Sequence, residues 1–170
     1  MSAIRMIGNI FLSLLGLAVV WIVSVSLPYW IAARGFDPFP MHLGNFRFLG
    51  WIPMIIGAVI VLWCYGLFIF IGKGTPWQFN PPKKLVVAGP YRFVRNPIED
   101  GVLLIVAGEV LLFESSGVIL YLISIFIVMN ARMVFFEEST LRRRFGQPYE
   151  EYCRSVHRYL PKLKPFIPKE

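Results

Sequence analysis

Four apolar runs separated by short polar breaks organise this chain. Ile7 to Trp30 carries no charged residue, and Leu49 to Ile71 repeats the pattern. Ile98 to Phe113 and Val118 to Phe136 follow, divided only by Glu114-Ser115-Ser116-Gly117. A helix of about 20 apolar residues covers the ~30 Å hydrocarbon core of a bilayer. The first two runs meet that length, and the third is shorter and carries Glu109. The pattern predicts an all-α polytopic membrane protein, one domain over residues 1–170. Transmembrane helices are expected at about 6–30, 49–71, 98–113 and 118–138. The 72–97 loop and C-terminal helices within 139–170 would then form a cytoplasmic cap.

Turn residues divide these runs. The first helix is apolar all round, as a lipid-facing span should be, and Pro28 is expected to kink or stop it. Gly35, Asp37-Pro38-Phe39-Pro40 and Gly44-Asn45 mark an outer loop. Phe36, Phe39, Phe46, Phe48 and Trp51, with Tyr29 and Trp30, form an interfacial aromatic group that anchors it. Gly72-Lys73-Gly74 reads as a helix C-cap rather than a phosphate cradle, since no strand precedes it. Pro81-Pro82-Lys83-Lys84 is expected to be extended. Gly89-Pro90 marks a turn, and Asn96-Pro97 starts a helix, with Glu99 where a capping-box carboxylate belongs. Pro148 restarts a short helix whose Tyr149, Tyr152 and Val156 share one face. Pro161, Pro165 and Pro168 end regular structure.

Composition agrees: 56% of residues are hydrophobic and only 16% charged. The net charge of +7 does not indicate nucleic acid, because its placement is that of a membrane protein. With both termini cytoplasmic, only Arg34 and Arg47 among the basic residues lie outside, which is the positive-inside asymmetry. The inner charges would also meet anionic lipid headgroups. Cys64 and Cys153 are too differently placed for a disulfide, and no Cys/His spacing suggests a metal. The first apolar run is longer than a signal-peptide core and reads as a retained helix. Glu109 lies near the outer end of its helix, where a headgroup contact or a neighbouring helix accounts for it.

Candidate chemistry gathers at the inner side. Arg92 and Arg95 lead into a helix N-terminus, which suits an anionic ligand group. Leu85-Val86-Val87 is a short apolar stretch able to pack on a cofactor ring or simply to dip into the membrane interface. Glu137 and Glu138 sit at the expected C-terminus of the last span, where they oppose the helix dipole; a cationic ligand would offset that cost. Glu138 and Arg142 are also spaced as an ordinary i,i+4 surface pair.

Gly89-Pro90-Tyr91-Arg92-Phe93-Val94-Arg95-Asn96-Pro97 is followed by Glu137-Glu138-x-x-Leu141-x-x-x-Phe145-Gly146-x-x-Tyr149-x-x-Tyr152. The two blocks, in that order, resemble the isoprenylcysteine carboxyl methyltransferase and phospholipid methyltransferase superfamily, integral membrane enzymes that use S-adenosylmethionine. The resemblance implies a cofactor site drawn from Val86, Gly89, Tyr91, Arg95, Asn96, Pro97, Gly101, Glu137 and Glu138. Glu138 and Arg144 match positions that arrange the acceptor group, and Arg158 matches one that braces the cap. Tyr91 would lie near the sulfonium through cation–π attraction. The acceptor would be a lipophilic small molecule bearing a carboxylate, amine or thiol. One departure stands out: Glu99 replaces the family's tyrosine, and Asp100 adds a second acid that would repel a ligand carboxylate beside it. Two other readings fit a helical membrane scaffold: an NADPH-dependent reductase of sterol-reductase type, and a non-catalytic relative.

Overall fold

A computed structural model describes residues 3–72 and 85–167. The expected extended segment Pro81-Pro82-Lys83-Lys84, Gly74 of the anticipated C-cap, and Pro168 lie outside the described residues. Helix α1 (Ala3–Trp21) passes through a π turn at Ile22–Ser26 into α2 (Leu27–Ala33). A 3-10 turn at Gly44–Gly50 leads into α3 (Trp51–Phe70), and a second at Gly89–Arg92 precedes α4 (Pro97–Phe113). α5 (Ser116–Arg132) continues through a π turn at Met133–Glu137 into α6 (Glu138–Phe145), and α7 (Gln147–Ser155) follows. Among the described residues, three stretches are long and apolar enough to cross a membrane: Ile7–Ala33, Gly44–Phe70 and Ser116–Phe145. The shorter α4 is the centre around which they pack, burying Val102, Ile105, Val106 and Val110.

The α3–α4 contact depends on glycine. In lipid, helices associate through close packing rather than water exclusion, and residues without bulk let backbones approach. Gly57 faces Gly101 and Gly50 faces Gly108, an antiparallel register with crossing points seven residues apart on each helix. A Cβ built on Gly57 would lie 2.3 Å from the Gly101 carbonyl oxygen, and one on Gly108 would lie 2.4 Å from that of Gly50. Gly101 thus serves the α3–α4 contact as a packing residue.

Pro28 does not end the first helix. A proline removes the hydrogen bond to the carbonyl four residues back, and the backbone adapts just upstream. Leu27 N–H donates to Ile22 O, five residues back. That shift frees the Val23 carbonyl, which accepts the Tyr121 hydroxyl of α5 at 2.6 Å. Ser24 Oγ donates to Val20 O at 2.7 Å. The inward face of α1 and its π turn is polar rather than featureless, because Asn9, Ser13 and Ser24 are all buried. Tyr121→Phe strands the Val23 carbonyl in a dry interface and is expected to cost about 1–3 kcal/mol. Unfolding of the detergent-solubilised variant, against wild type, measures it.

The loop between α2 and the first 3-10 turn is clasped rather than loose. Ser115 Oγ donates to Asp37 Oδ1 at 2.6 Å, Phe39 N–H donates to Ser116 Oγ at 3.0 Å, and Leu43 and Gly44 N–H groups donate to Glu114 Oε1. The aromatic rings of this region, Tyr29, Trp30, Phe36, Phe39, Phe46, Phe48 and Trp51, are exposed as a lipid-interface group requires. Glu109 is 1% exposed and faces neighbouring helices, not headgroups.

One expected helix end and one expected cap are corrected. The last span does not stop at 138: the π turn carries the helix on to Phe145, so Glu137 and Glu138 are interior to it and do not oppose a helix terminus. Arg142, Arg143 and Arg144 occupy its last turn, where cations suit the dipole. Asn96 and Pro97 do hold the N-cap and first positions of α4. The capping box is not formed, because the Glu99 carboxylate is taken by Arg132 and Tyr159.

Candidate functional site

At the end of the bundle where α4 begins, the 85–97 segment, α6 and the C-terminal residues meet. The 3-10 turn starts with Gly89 at φ +54, a left-handed conformation open to glycine at no cost. From there the chain runs beside the C-terminal segment in three main-chain bonds. Arg95 N–H donates to His157 O, Lys162 N–H to Phe93 O and Phe166 N–H to Arg92 O, at 2.9, 2.9 and 2.8 Å. Tyr149 and Tyr152 of α7, with Val156 just after it, are buried beneath, against Leu85, Val87, Phe145 and Phe166. The Tyr152 hydroxyl donates to Tyr91 O at 2.5 Å. Burial pushes the phenols of Tyr91 and Tyr152 above the ordinary tyrosine range.

Charge in this region is organised by three carboxylates: Glu138, which gathers several arginines, and Glu99 and Glu137, which share one. Glu138 Oε1 accepts Arg95 Nη1 at 3.1 Å and Arg158 Nε and Nη2 at 2.9 and 2.7 Å. Arg142 Nη2 stands 3.7 Å from the other oxygen. Arg158 also donates to Asn130 Oδ1 at 3.2 Å. Arg132 spans a second pair, with Nη2 2.5 Å from Glu99 Oε1 and Nη1 2.7 Å from Glu137 Oε2. The Tyr159 hydroxyl donates to Glu99 Oε2 at 3.4 Å; burial, with Glu99 adjacent, pushes its phenol up to about 12, so it stays a neutral donor at physiological pH.

The expected meeting of Arg95 with the glutamate pair therefore occurs through Glu138, while Glu137 belongs to Arg132. Glu99 is buried and neutralised by Arg132, so it is not free to repel a ligand anion. Two donors in the anticipated cofactor set are left over: Arg95 Nε and Asn96 Nδ2 are buried and meet no acceptor among the described residues. Val86 and Tyr91 are packed with Cys64, and the Tyr91 ring stacks edge-on against Phe68. Arg144 lies over the Phe145 ring, 5.5 Å from its centre. Gly89 and Pro97 line a groove of about 860 Å3 formed with α3, α4, α5 and Tyr159. Its rim residues Trp63, Ile123 and Phe126 are exposed on the bundle's side.

Sequence reasoning missed Arg132 as a connector and Tyr159 as a donor. An arginine pairs along an α-helix with residues three or four away, whereas Arg132 reaches Glu137 at a separation of five because a π turn lies between them. Asn130 at the end of the apolar run was the visible signal that polar partners converge there.

Residues 46–148 match the family model for phospholipid methyltransferase. The chain belongs to that family. A stretch of 85 residues is 34% identical to a probable protein-S-isoprenylcysteine O-methyltransferase of Oryza sativa subsp. indica and to its counterpart in subsp. japonica. That stretch covers 49% of this chain and 44% of each rice protein, so the match spans less than half of the relatives' own length. No solved structure matches the chain. Family and apolar helices together make this an integral membrane protein.

Proposed function

We propose that the protein is a methyltransferase that takes its methyl group from S-adenosylmethionine and delivers it to a lipophilic acceptor at the cytoplasmic face of a membrane. The observation that carries the reading is the pair of unmatched donors, Arg95 Nε and Asn96 Nδ2, buried on adjacent residues where α4 begins. Buried polar groups are nearly always satisfied, and unmatched donors beside a helix N-terminus fit an anionic ligand group such as the cofactor's carboxylate. Glu137, one-third exposed, is placed to meet an ammonium or ribose hydroxyls. When bound, S-adenosylmethionine supplies a methyl group already activated on a sulfonium. The chain's own task is then to align and to exclude water. Glu138 locks Arg95 and Arg158 in position, Pro97 and Gly89 shape the adjoining groove, and the apolar wall keeps that groove dry. Gly101 and Tyr91 are left out of the contact set, since packing accounts for both.

In this reading α4 is a fourth membrane crossing, about 25 Å long at 1.5 Å per residue, and the 85–97 segment with the C-terminal residues caps the inner side. Basic residues concentrated at that end support the orientation. The names of the family and its rice relatives favour methyl transfer over a nicotinamide-dependent reductase.

Calorimetric titration of the detergent-purified protein with S-adenosylmethionine tests the reading. Saturable binding is expected, and Asn96→Leu should weaken it roughly 10–100-fold, the worth of one hydrogen bond to a charged group. Absence of heat at millimolar cofactor would sink the proposal.

A further inference from the structure

We propose that the outward face of α6 is a docking site for an anionic phospholipid, an inference that stands apart from the methyl-transfer reading. The helix that carries this face starts at Ser116 and runs through the π turn to Phe145. At 1.5 Å per residue, the ~30 Å hydrocarbon core takes up about 20 residues. A span entering at Ser116 therefore leaves the core near Phe135 and Phe136, and those two rings are 72% and 66% exposed. The headgroup layer beyond is about 5–8 Å deep. Ser139 and Thr140 fall within it, about 5–6 Å past Phe136.

The two faces of α6 differ in character. Glu138, Leu141 and Phe145 turn inward, where Glu138 holds Arg95 and Arg158. Phe136, Thr140 and Arg143 follow one another at helical spacings of four and three, and all are exposed. Arg143 is the cation of this face. Its Nε donates to Ser139 O at 3.3 Å, so the side chain folds back one turn towards the bilayer, the direction in which helical side chains lean. The guanidinium thus lies at headgroup depth, and among the described residues it meets no carboxylate. The arginines on either side are engaged: Arg142 stands 3.7 Å from Glu138 Oε2, and Arg144 lies over the Phe145 ring. Acyl chains suit the exposed rings, and a phosphate suits the arginine, whose planar fork offers paired N–H donors. A zwitterionic headgroup would bring a second cation to Arg143, and a soluble phosphate would leave the rings uncovered. An anionic lipid meets both halves of the face. None of these residues lines the lateral groove, so the lipid is a ligand of this helix and not an occupant of that groove.

The test uses the full chain in neutral detergent micelles without cofactor, and native mass spectrometry counts the molecules bound. The probes are dioleoylphosphatidylglycerol and dioleoylphosphatidylcholine, with glycerophosphoglycerol as the anionic headgroup without chains. Phosphatidylglycerol is expected to bind at least about fivefold more tightly than phosphatidylcholine, the worth of one basic residue at an anionic surface. Glycerophosphoglycerol should bind at least about tenfold more weakly than the lipid, since it covers no apolar surface. Arg143→Gln should bring the two lipids to within about twofold. Arg154→Gln, the same charge change at an exposed position of α7, should leave the preference intact. Equal binding of the two lipids by wild type, a preference that survives Arg143→Gln, or an equal loss in Arg154→Gln overturns the inference. So does glycerophosphoglycerol binding as tightly as the lipid, which would make the face a site for soluble phosphates. Should Arg143→Gln fail to fold by circular dichroism, the wild-type and Arg154→Gln comparisons decide.

Discussion

Replacing Glu138 by alanine is expected to destabilise the protein by about 3–5 kcal/mol, the cost of removing one partner from a buried ion pair. Its carboxylate is the common acceptor for Arg95 and Arg158 and stands beside Arg142. Arg95 is the side chain at risk. It is 11% exposed, and without Glu138 its side chain keeps, among the described residues, Cys153 Sγ at 2.9 Å. Arg158 is more open and retains Asn130, so it contributes less of the loss. Glu138→Gln keeps an acceptor oxygen and should cost less than Glu138→Ala. Unfolding in detergent, monitored by circular dichroism, orders the two. An alanine variant within about 1 kcal/mol of wild type would show that the three arginines do not depend on this carboxylate.

The second large effect belongs to the glycine contacts. Gly57→Ala and Gly108→Ala each place a methyl group against a backbone carbonyl, which cannot rotate away as a side chain can. Overpacking against movable neighbours costs about 1–3 kcal/mol. Here α3 and α4 must separate, and a loss of about 3 kcal/mol or more is expected for each. Gly66→Ala is the control on the same helix. Nothing lies within 4 Å of its Cβ position, and alanine's better helix propensity should leave stability unchanged or raised by up to about 1 kcal/mol. Size-exclusion profiles and thermal unfolding distinguish the three. Equal behaviour of Gly57→Ala and Gly66→Ala would refute the close-approach account.

Much of the scaffold was legible because apolar runs and turn residues act locally. Leu49 to Ile71 and Ile98 to Phe113 foretell α3 and α4 to within two residues at each end. Asn96-Pro97 marked the start of α4, and the face shared by Tyr149, Tyr152 and Val156 is the one buried under the 85–87 segment. What escaped was long-range or out of helical phase. Glu99 looks like a capping residue from its spacing alone. Only the approach of α5 reveals that Arg132 outcompetes the N-cap for its carboxylate, since a full charge draws an acid more strongly than a backbone N–H. Gly101 fell inside a motif and was expected to touch cofactor. Its partner Gly57 is 44 positions earlier in the chain, and no local pattern shows which glycine meets which.

The two π turns also bear on how the chain tolerates changes in length. A residue added to an α-helix advances everything after it by about 100° around the axis. Deleting one position within 133–136 would relax the wide turn to regular winding and leave α6 close to its present bearing, because a π turn holds one residue more than regular winding does. Deleting one position in the regular winding of α5 would instead swing everything after it by that angle. The arginine-clasped acid at 138 would then point to a different compass bearing, although no residue of the cluster had been altered. Single-residue deletions scanned along these helices would read as a map of angular phase, shallowest where the winding is already wide.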